Sequence, residues 1–526
     1  MDNEPKGENP KNRFNLVDEP WIPVAGVGLV SLRRIFQEPS PKSLRGNPVQ
    51  KIALTKLLLA ICQAAYTPTD DEDWDTFGAQ GLAEKVLIYL EKHQDCFWLY
   101  GEKPFLQMPL IKKLIKDRKK RDLAKGVKEA VAEANAKPKE IGLGYYPDIP
   151  STNNTILTQT QISHSISDAE KTLFIVMLMN FAFGGKRVEK DIEPFSPGYS
   201  GKTVSAKSGP SLGNHWGYLH SFIHGDDIIT TLWLNTFSRE FIKDMPYENK
   251  TLVPPPWEQM PEGEDDERAR QIKESYMGRL VGMCRFVLLE DDGIFYVEGI
   301  QYPSHKEGWR EPSMCVDDNT GKLLWANTHQ KPWRNLTALL SFLSTRDNNQ
   351  YNCLQLSAVL KRIRNKTMRI GIWSGGIKVR ANSGDQSVKQ DDDFVESETF
   401  VVSSHLKPWF TSFEEEMNRL KKLSGFLYLM VTRYYKKLNI DGASYADKAL
   451  ELYWQRCERQ YQQMVDLCRN PNDTAMKAIR SYFFQCVRDA YEAYCPRDTA
   501  RQMHYWVQYH PSLNYASRKK RQTQRA

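Results

Sequence analysis

Along the last quarter of the chain, apolar positions fall at Phe413, Met417, Leu420, Leu427, Val431, Tyr434 and Leu438, with Ser424 in the same register. The alternating steps of four and three trace one stripe of a long helix, and Ser412 with Glu415 predicts a capping box at its start. Asp441-Gly442 ends that pattern, and a second runs through 443–469 to Asn470-Pro471-Asn472. A third extends from Thr474 to Tyr494 before Pro496, and a fourth from about 498 to 510 before Pro511. Because Gly, Asn and Pro punctuate helices, the spacing predicts four helices with short links, an antiparallel four-helix bundle.

Upstream the texture is mixed. Residues 14–36, FNLVDEPWIPVAGVGLVSLRRIF, place two short apolar stretches around a Pro-kinked, Gly-rich turn, which reads as a hairpin-like start. KIALTKLLLAICQAAY (51–66) has helical spacing, and Ser167 with Glu170 predicts a capped helix over 168–183. IITTLWL (228–234), MCRFVLL (283–289) and IFYVEGI (294–300) read as strands, with the acidic, proline-bearing stretch 253–267 as a surface loop. The expected class is α+β: a disordered N-terminus (1–13), a mixed N-terminal domain (14–407), the bundle (408–515) and a basic tail (516–526). No internal repeat is visible.

Composition narrows the classes. With 526 residues, 40% hydrophobic content and 59 aromatic side chains (13 Trp, 24 Tyr, 22 Phe), the chain can bury large cores in two or three units. A net charge of only +7 means that contacts to nucleic acid come from local patches. The nine cysteines form no C-x-x-C pair, which suits buried thiols in a reducing compartment better than disulfides. MDNEPKGENPKNR has no apolar core of a secretory signal, and LFIVMLMNFAF (173–183) is too short to span a bilayer. The expectation is a cytoplasmic protein without membrane contact.

Chemistry is harder to find. SPGYSGKT (196–203) ends like a phosphate-binding loop, but Ser196 stands where the first glycine belongs. The loop also lacks a buried strand before it and a helix after it, since Gly209, Pro210 and Gly213 follow. No H-E-x-x-H or G-x-S-x-G occurs. His215, His220 and His224 sit close together, yet Gly217 weakens a shared helix and no acid or thiol partner lies among them, which favours ordinary packed histidines. The acidic runs 70–73, 263–267 and 391–393 lack metal-loop spacing and read as solvated loops.

What stands out is glycine beside positive charge. Residues 197–217 hold five glycines and two lysines, and SGGIKVRANSGDQSVKQ (374–390) follows the basic run KRIRNKTMR (361–369). Glycine lets backbone approach a ligand closely, and with local cations this suits nucleic acid better than a metabolite, although an ordinary surface loop is the plain reading of each alone. Eight Lys/Arg between 112 and 125 admit two readings, a solvated insertion or a nucleic-acid patch.

FNLVDEPWIPV…GLVSLRRIF resembles the N-terminal signature of the CasA family, the large subunit of the type I-E CRISPR complex Cascade. KPFLQMPLI (103–111), the SPGYSG loop and the helical C-terminus follow in the family's order, so the resemblance runs from about residue 14 to the end. It implies a subunit without catalytic activity or cofactor, which reads a short flanking motif (the PAM) in double-stranded target DNA and helps to open the duplex into an R-loop. Its implied partners are guide RNA, other Cascade subunits and a helicase-nuclease that docks afterwards.

Residue by residue, the resemblance places the minor-groove glycine loop on Gly198, Tyr199, Ser200 and Gly201, with Lys202 as a neighbouring phosphate contact. The wedge, which follows a Gly375-Gly376 turn, falls within Asn382, Ser383, Gly384, Asp385 and Gln386, with Asn382 and Gln386 as competing tips. A guide-RNA loop falls near Asn153, Asn154 and Ile156. Phosphate contacts are assigned to Lys112, Lys113, Lys116, Arg118, Lys119, Lys120 and Arg121, and to Lys361, Arg362, Arg364, Lys378 and Arg380. The chain departs from the family at the lysine finger, where EDDGIFYVEG (290–299) offers acids, and in having only Cys284 and Cys315 near that point, so no zinc is expected. Two other classes stay open on the residues alone: a nucleic-acid-processing enzyme such as a nuclease with a dispersed active site, and a purely structural scaffold.

Overall fold

The computed structural model describes residues 12–142, 145–149, 166–184, 208–213, 216–290, 293–344, 351–382, 385–388, 393–470 and 472–512. Ile22–Val24 pairs antiparallel with Gly28–Val30, the expected hairpin, with Ile22 opposite Val30. Helix α1 (Pro48–Ala65) starts at Asn47, whose side chain accepts from the Gln50 amide, and at Pro48, whose missing N–H costs nothing there. It is apolar nearly all round and is buried accordingly, carrying Lys56 inside with it.

The acidic run 70–73 is a helix start and not a loop. Asp70 caps α2 (Asp71–Lys92), accepting from the Glu72 and Asp73 amides, and the three acids of the first turn oppose the helix dipole favourably. The acidic run 263–267 behaves likewise, with Asp266 capping Glu267–Lys273. The basic segment forms α3 (Leu110–Ala124), with Ile111 and Ile115 turned inward. Helix α4 (Asp168–Phe181) opens on the expected capping box of Ser167 and Glu170.

Strand β1 (His220–His224) leads to α5 (Ile228–Asn235), where a strand was expected. Asp227 caps that helix by accepting from the Thr230 amide, a local bond that outweighs the β-branched composition. Strands β2 (Arg285–Glu290) and β3 (Gly293–Glu298), both expected as strands, pair antiparallel as a hairpin. After α6 (Leu354–Arg362), β4 (Arg369–Ile377) pairs antiparallel with β1, Gly371 opposite His224 and Gly375 opposite His220.

Gly375-Gly376 is therefore strand interior and not a turn. A Cβ on Gly376 would lie 2.5 Å from the Tyr218 carbonyl, so the glycine is needed for close backbone approach. A hairpin of β5 (Arg380–Asn382) and β6 (Asp385–Ser387) follows, and β7 (Phe394–Val402) completes the order β7-β4-β1.

The C-terminal helices are α7 (Leu406–Lys437), α8 (Ala443–Glu458), α9 (Tyr461–Leu467), α10 (Asp473–Tyr494) and α11 (Ala500–Tyr509). Helix α7 starts before the expected Ser412. Leu406, Trp409 and Phe410 extend the apolar stripe backwards, and Pro408 falls in the first turn, where an amide has no partner to lose. The stripe itself is inside: Phe413, Met417, Leu420, Leu427, Val431 and Tyr434 are buried.

The chain divides into two units, one of residues 1–333, 350–362 and 370–398 and the other of 334–349, 363–369 and 399–526. Among the described residues, no helix is long and apolar enough to cross a membrane.

Candidate nucleic-acid interface

The glycine-loop residues Gly198, Tyr199, Ser200, Gly201 and Lys202 and the guide-RNA loop residues Asn153, Asn154 and Ile156 lie outside the described residues. The two flanks of 185–207 are described, and they meet. The Gly209 amide donates to the Ala182 carbonyl at 2.6 Å. Gly209 has to be glycine at this crossing, because a Cβ would sit 2.5 Å from the Asn180 carbonyl oxygen and 2.7 Å from the Ala182 nitrogen.

The hairpin β5–β6 is tied to the same place through Gln386. Its amide nitrogen donates to the Gly213 carbonyl at 2.8 Å, its side-chain oxygen accepts from the Gly184 amide at 2.9 Å, and its own backbone N–H donates to the Gly184 carbonyl at 3.1 Å. One side chain thus bonds residues on both sides of 185–207. Gln386 is 4% exposed, so it is not a wedge tip; its position as the partner of Ala381 turns it inward to satisfy backbone groups that burial would otherwise orphan. Asn382 pairs with Asp385 at the far end of the hairpin, with Ser383 and Gly384, outside the described residues, between them.

Beneath this crossing lies a buried polar cluster that sequence reasoning missed. Lys56 Nζ on α1 donates to Glu311 Oε2 at 2.7 Å, Ser211 Oγ at 2.8 Å and Asn180 Oδ1 at 3.1 Å, and the Ser211 hydroxyl donates to Glu311 Oε1 at 2.9 Å. The Lys56 and Glu311 side chains are 3% and 1% exposed. Burial pushes the lysine below its ordinary value. Against the same desolvation, Lys56, His220 and the Ser211 hydroxyl hold the Glu311 carboxyl below the usual carboxylate range, so the pair is charged.

His220 is fully buried on β1. Its Nε2 lies 3.0 Å from the Ser211 carbonyl, which can only accept, so that nitrogen carries the proton and Nδ1 accepts from the Ser313 hydroxyl at 2.9 Å. Burial holds its imidazole below the ordinary value and therefore neutral. It is a packed histidine, as the sequence favoured. The cluster joins α1, α4, Ser211 and Glu311, fixing Asn180 before the crossing and Ser211 after it. Only the oddity of a lysine inside an apolar helical run could have signalled it.

The basic residues divide by environment. Lys113, Lys116 and Lys120 are exposed at helical spacing on one face of α3, and Lys361 in the last turn of α6 and Arg364 after it are exposed. Lys112 pairs with Glu290 at 2.7 Å, Lys119 with Glu133, and Arg121 is half-buried. The Lys378 Nζ lies 3.5 Å from the Thr328 hydroxyl, and Arg380 lies 3.9 Å from buried Asp393. Two assignments are overturned. Arg118 is 3% exposed on the inward face of α3. The Arg362 side chain, also 3% exposed, donates to Asp71 and to the Thr236 carbonyl at 2.8 Å each and covers the Trp74 ring, which leaves it no phosphate to meet. Among the described residues, no group of three or more His, Cys, Asp or Glu is placed to hold a metal ion.

The family model of the CRISPR-associated protein Cse1 matches residues 15–490. The chain belongs to that family. A CasA/Cse1 protein of Thermus thermophilus is 33% identical over 111 residues, a stretch that covers 18% of this chain and 21% of that relative. A crystal structure of Thermus thermophilus CasA superposes with a TM-score of 0.67 at 18% identity, covering 94% of this chain and 98% of that one. A chain of a CRISPR RNA-guided surveillance complex gives 0.63 at 15% identity, covering 94% and 98%. At these identities the structural likeness is one of fold, while the family match over 15–490 takes in α7 to α9 and most of α10.

Proposed function

We propose that this Cse1-family chain is the large, non-catalytic subunit of a type I-E RNA-guided surveillance complex. In this reading it inspects double-stranded DNA for a PAM, helps to open the duplex for R-loop formation, and offers a docking platform to the helicase-nuclease. Its partners are guide RNA and the other Cascade subunits. Family membership supports the assembly; the observation that supports the DNA role is Gln386, which bonds the base of the wedge hairpin to both flanks of the glycine-rich segment.

The physical logic follows from that link. Minor-groove edges distinguish bases poorly, so a backbone-lined reader tolerates several PAM sequences. Unstacking a base step costs a few kcal/mol, and R-loop formation is otherwise near balance. A hairpin tied to the reading segment lets PAM contacts offset that cost at the step beside it. Exposed Lys113, Lys116 and Lys120 supply sequence-independent phosphate attraction.

The deciding experiment is target-duplex binding by guide-loaded complex across every PAM variant, with wild-type chain and with Gly198→Val/Gly201→Val. PAM-dependent binding that fails in the double variant, with assembly intact, is the expected result. Discrimination that survives those substitutions sinks the loop assignment.

A further inference from the structure

Within the C-terminal unit, a cleft of about 130 Å³ opens between the end of β7 and helices α7 and α9. Its walls include Val401, Val402, Val465 and the edge of Trp409, whose indole N–H is engaged by the Val465 carbonyl at 3.0 Å. Phe400 is in the lining and 37% exposed. Its backbone is fixed at both ends by one side chain: the Phe400 amide donates to Gln462 Oε1 at 3.1 Å, and Gln462 Nε2 donates to the Phe400 carbonyl at 2.9 Å. The Arg369 guanidinium lies 4.9 Å from the centre of the Phe400 ring. Arg469, also in the lining, is exposed and donates to the Ser404 hydroxyl at 3.3 Å. The Asp466 carboxylate lines the same cleft and accepts from Gln462 at 2.9 Å.

The geometry points to a binding site for one unpaired pyrimidine base of single-stranded DNA. The size suits one ring, since a cavity of roughly 150 Å³ holds benzene. An exposed aromatic ring paired with a guanidinium, on a backbone fixed at both ends, is a surface on which bases stack without demanding sequence. Two arginines in the lining complement a strand's phosphates. The exposed Asp466 carboxylate in the lining, which repels phosphate, accepts from the exocyclic amine of cytosine, while thymine presents a carbonyl oxygen at that position. Free single strand as the ligand rests on the reading that this protein acts where a duplex is opened.

The test uses the full chain and fluorescein-labelled dC20 and dT20, measured by anisotropy as salt is varied. Wild type binds dC20 more tightly than dT20. Phe400→Ala weakens both about ten-fold. Asp466→Asn abolishes the preference for dC20 and leaves dT20 binding in place, and Arg469→Gln lowers the salt dependence by about one ion. Unchanged thermal unfolding of the three variants separates lost binding from lost folding. Equal binding of both oligonucleotides by wild type, or unaltered affinity in Phe400→Ala, overturns the site. PAM discrimination by the assembled complex is measured on the same variants. If discrimination by the wild type is absent while Phe400→Ala still loses dC20, the duplex-reading proposal fails and the cleft stands.

Discussion

Replacing Lys56 by methionine keeps the length and apolar stem of the side chain and removes its charge. The lost ammonium serves three acceptors between 2.7 and 3.1 Å, one of them the carboxylate of Glu311 at 1% exposure. Ser211 still donates to Glu311, so the carboxylate keeps one bond and Asn180 Oδ1 loses the one that Lys56 gave it. Removing one partner of a buried pair costs about 3–5 kcal/mol, most of it the stranded charge. The double variant Lys56→Met/Glu311→Leu strands no charge and leaves only neutral polar groups to rearrange, at about 1–2 kcal/mol. Urea unfolding followed by tryptophan fluorescence reads both as midpoint shifts at constant slope.

The pH dependence gives a second check on the same variants. In Lys56→Met, burial without its cation raises the folded Glu311 carboxyl above its unfolded value of 4.5, so its penalty is greatest at high pH, shrinks as pH falls through the raised folded value, and is gone below 4.5, where both states are protonated. A single-variant loss below about 1 kcal/mol, or a double variant equal to the sum of Lys56→Met and Glu311→Leu, refutes a coupled buried pair.

Gln386→Leu leaves the Gly184 amide and the Gly213 carbonyl without the bonds that Gln386 gives them; each orphaned group costs about 1–3 kcal/mol. Faster amide exchange at Gly184 and poorer PAM discrimination are expected, and slow exchange there would discount the clamp. His220 is held neutral when folded, so below its ordinary 6.5 only the unfolded chain takes the proton; stability is complete above that pH and falls on acidification by at most about 1.4 kcal/mol per unit. Urea midpoints between pH 7.5 and 5.5 should show this slope reduced in His220→Asn. Lys113→Gln/Lys116→Gln/Lys120→Gln should weaken duplex binding and lower its salt slope by about 0.9 for each phosphate no longer neutralised, with unfolding unchanged. Arg362→Gln should do the reverse, losing about 2 kcal/mol of stability with the salt slope kept.

Long periodic segments were the most legible part of the chain. The stripe of α7, the capping box of α4 and the strands β2 and β3 all declare themselves because many residues, or one reciprocal pair of bonds, point the same way. Where a single cap decides, the apolar pattern misleads: Asp227 turns IITTLWL into α5, and Asp70 makes a helix start of an acidic run. Paired glycines look like a turn whether they bend the chain or, as at Gly376, admit a neighbouring carbonyl. Charge counting could not separate Lys113 from Arg118 or Arg364 from Arg362, since which face of an element points inward is decided by packing. Of the Lys56 cluster only the lysine itself is odd in the sequence, because its partners lie as much as 255 positions away.

The C-terminal unit draws on three separate lengths of chain, 334–349, 363–369 and 399–526. The short helix Leu336–Leu339 packs against α7, and Arg334 lies over the Trp454 ring at 4.1 Å. A fragment starting at residue 399 would begin inside β7 and lack both supports. The helices of this unit are thus not a cassette that can be cut out, exchanged between relatives or expressed alone by a single truncation. On the ribosome, the chain of the first unit is complete at residue 398, whereas Arg334 and the helix Leu336–Leu339 must wait for the chain beyond residue 399 before their partners emerge, so the second unit is the last to close.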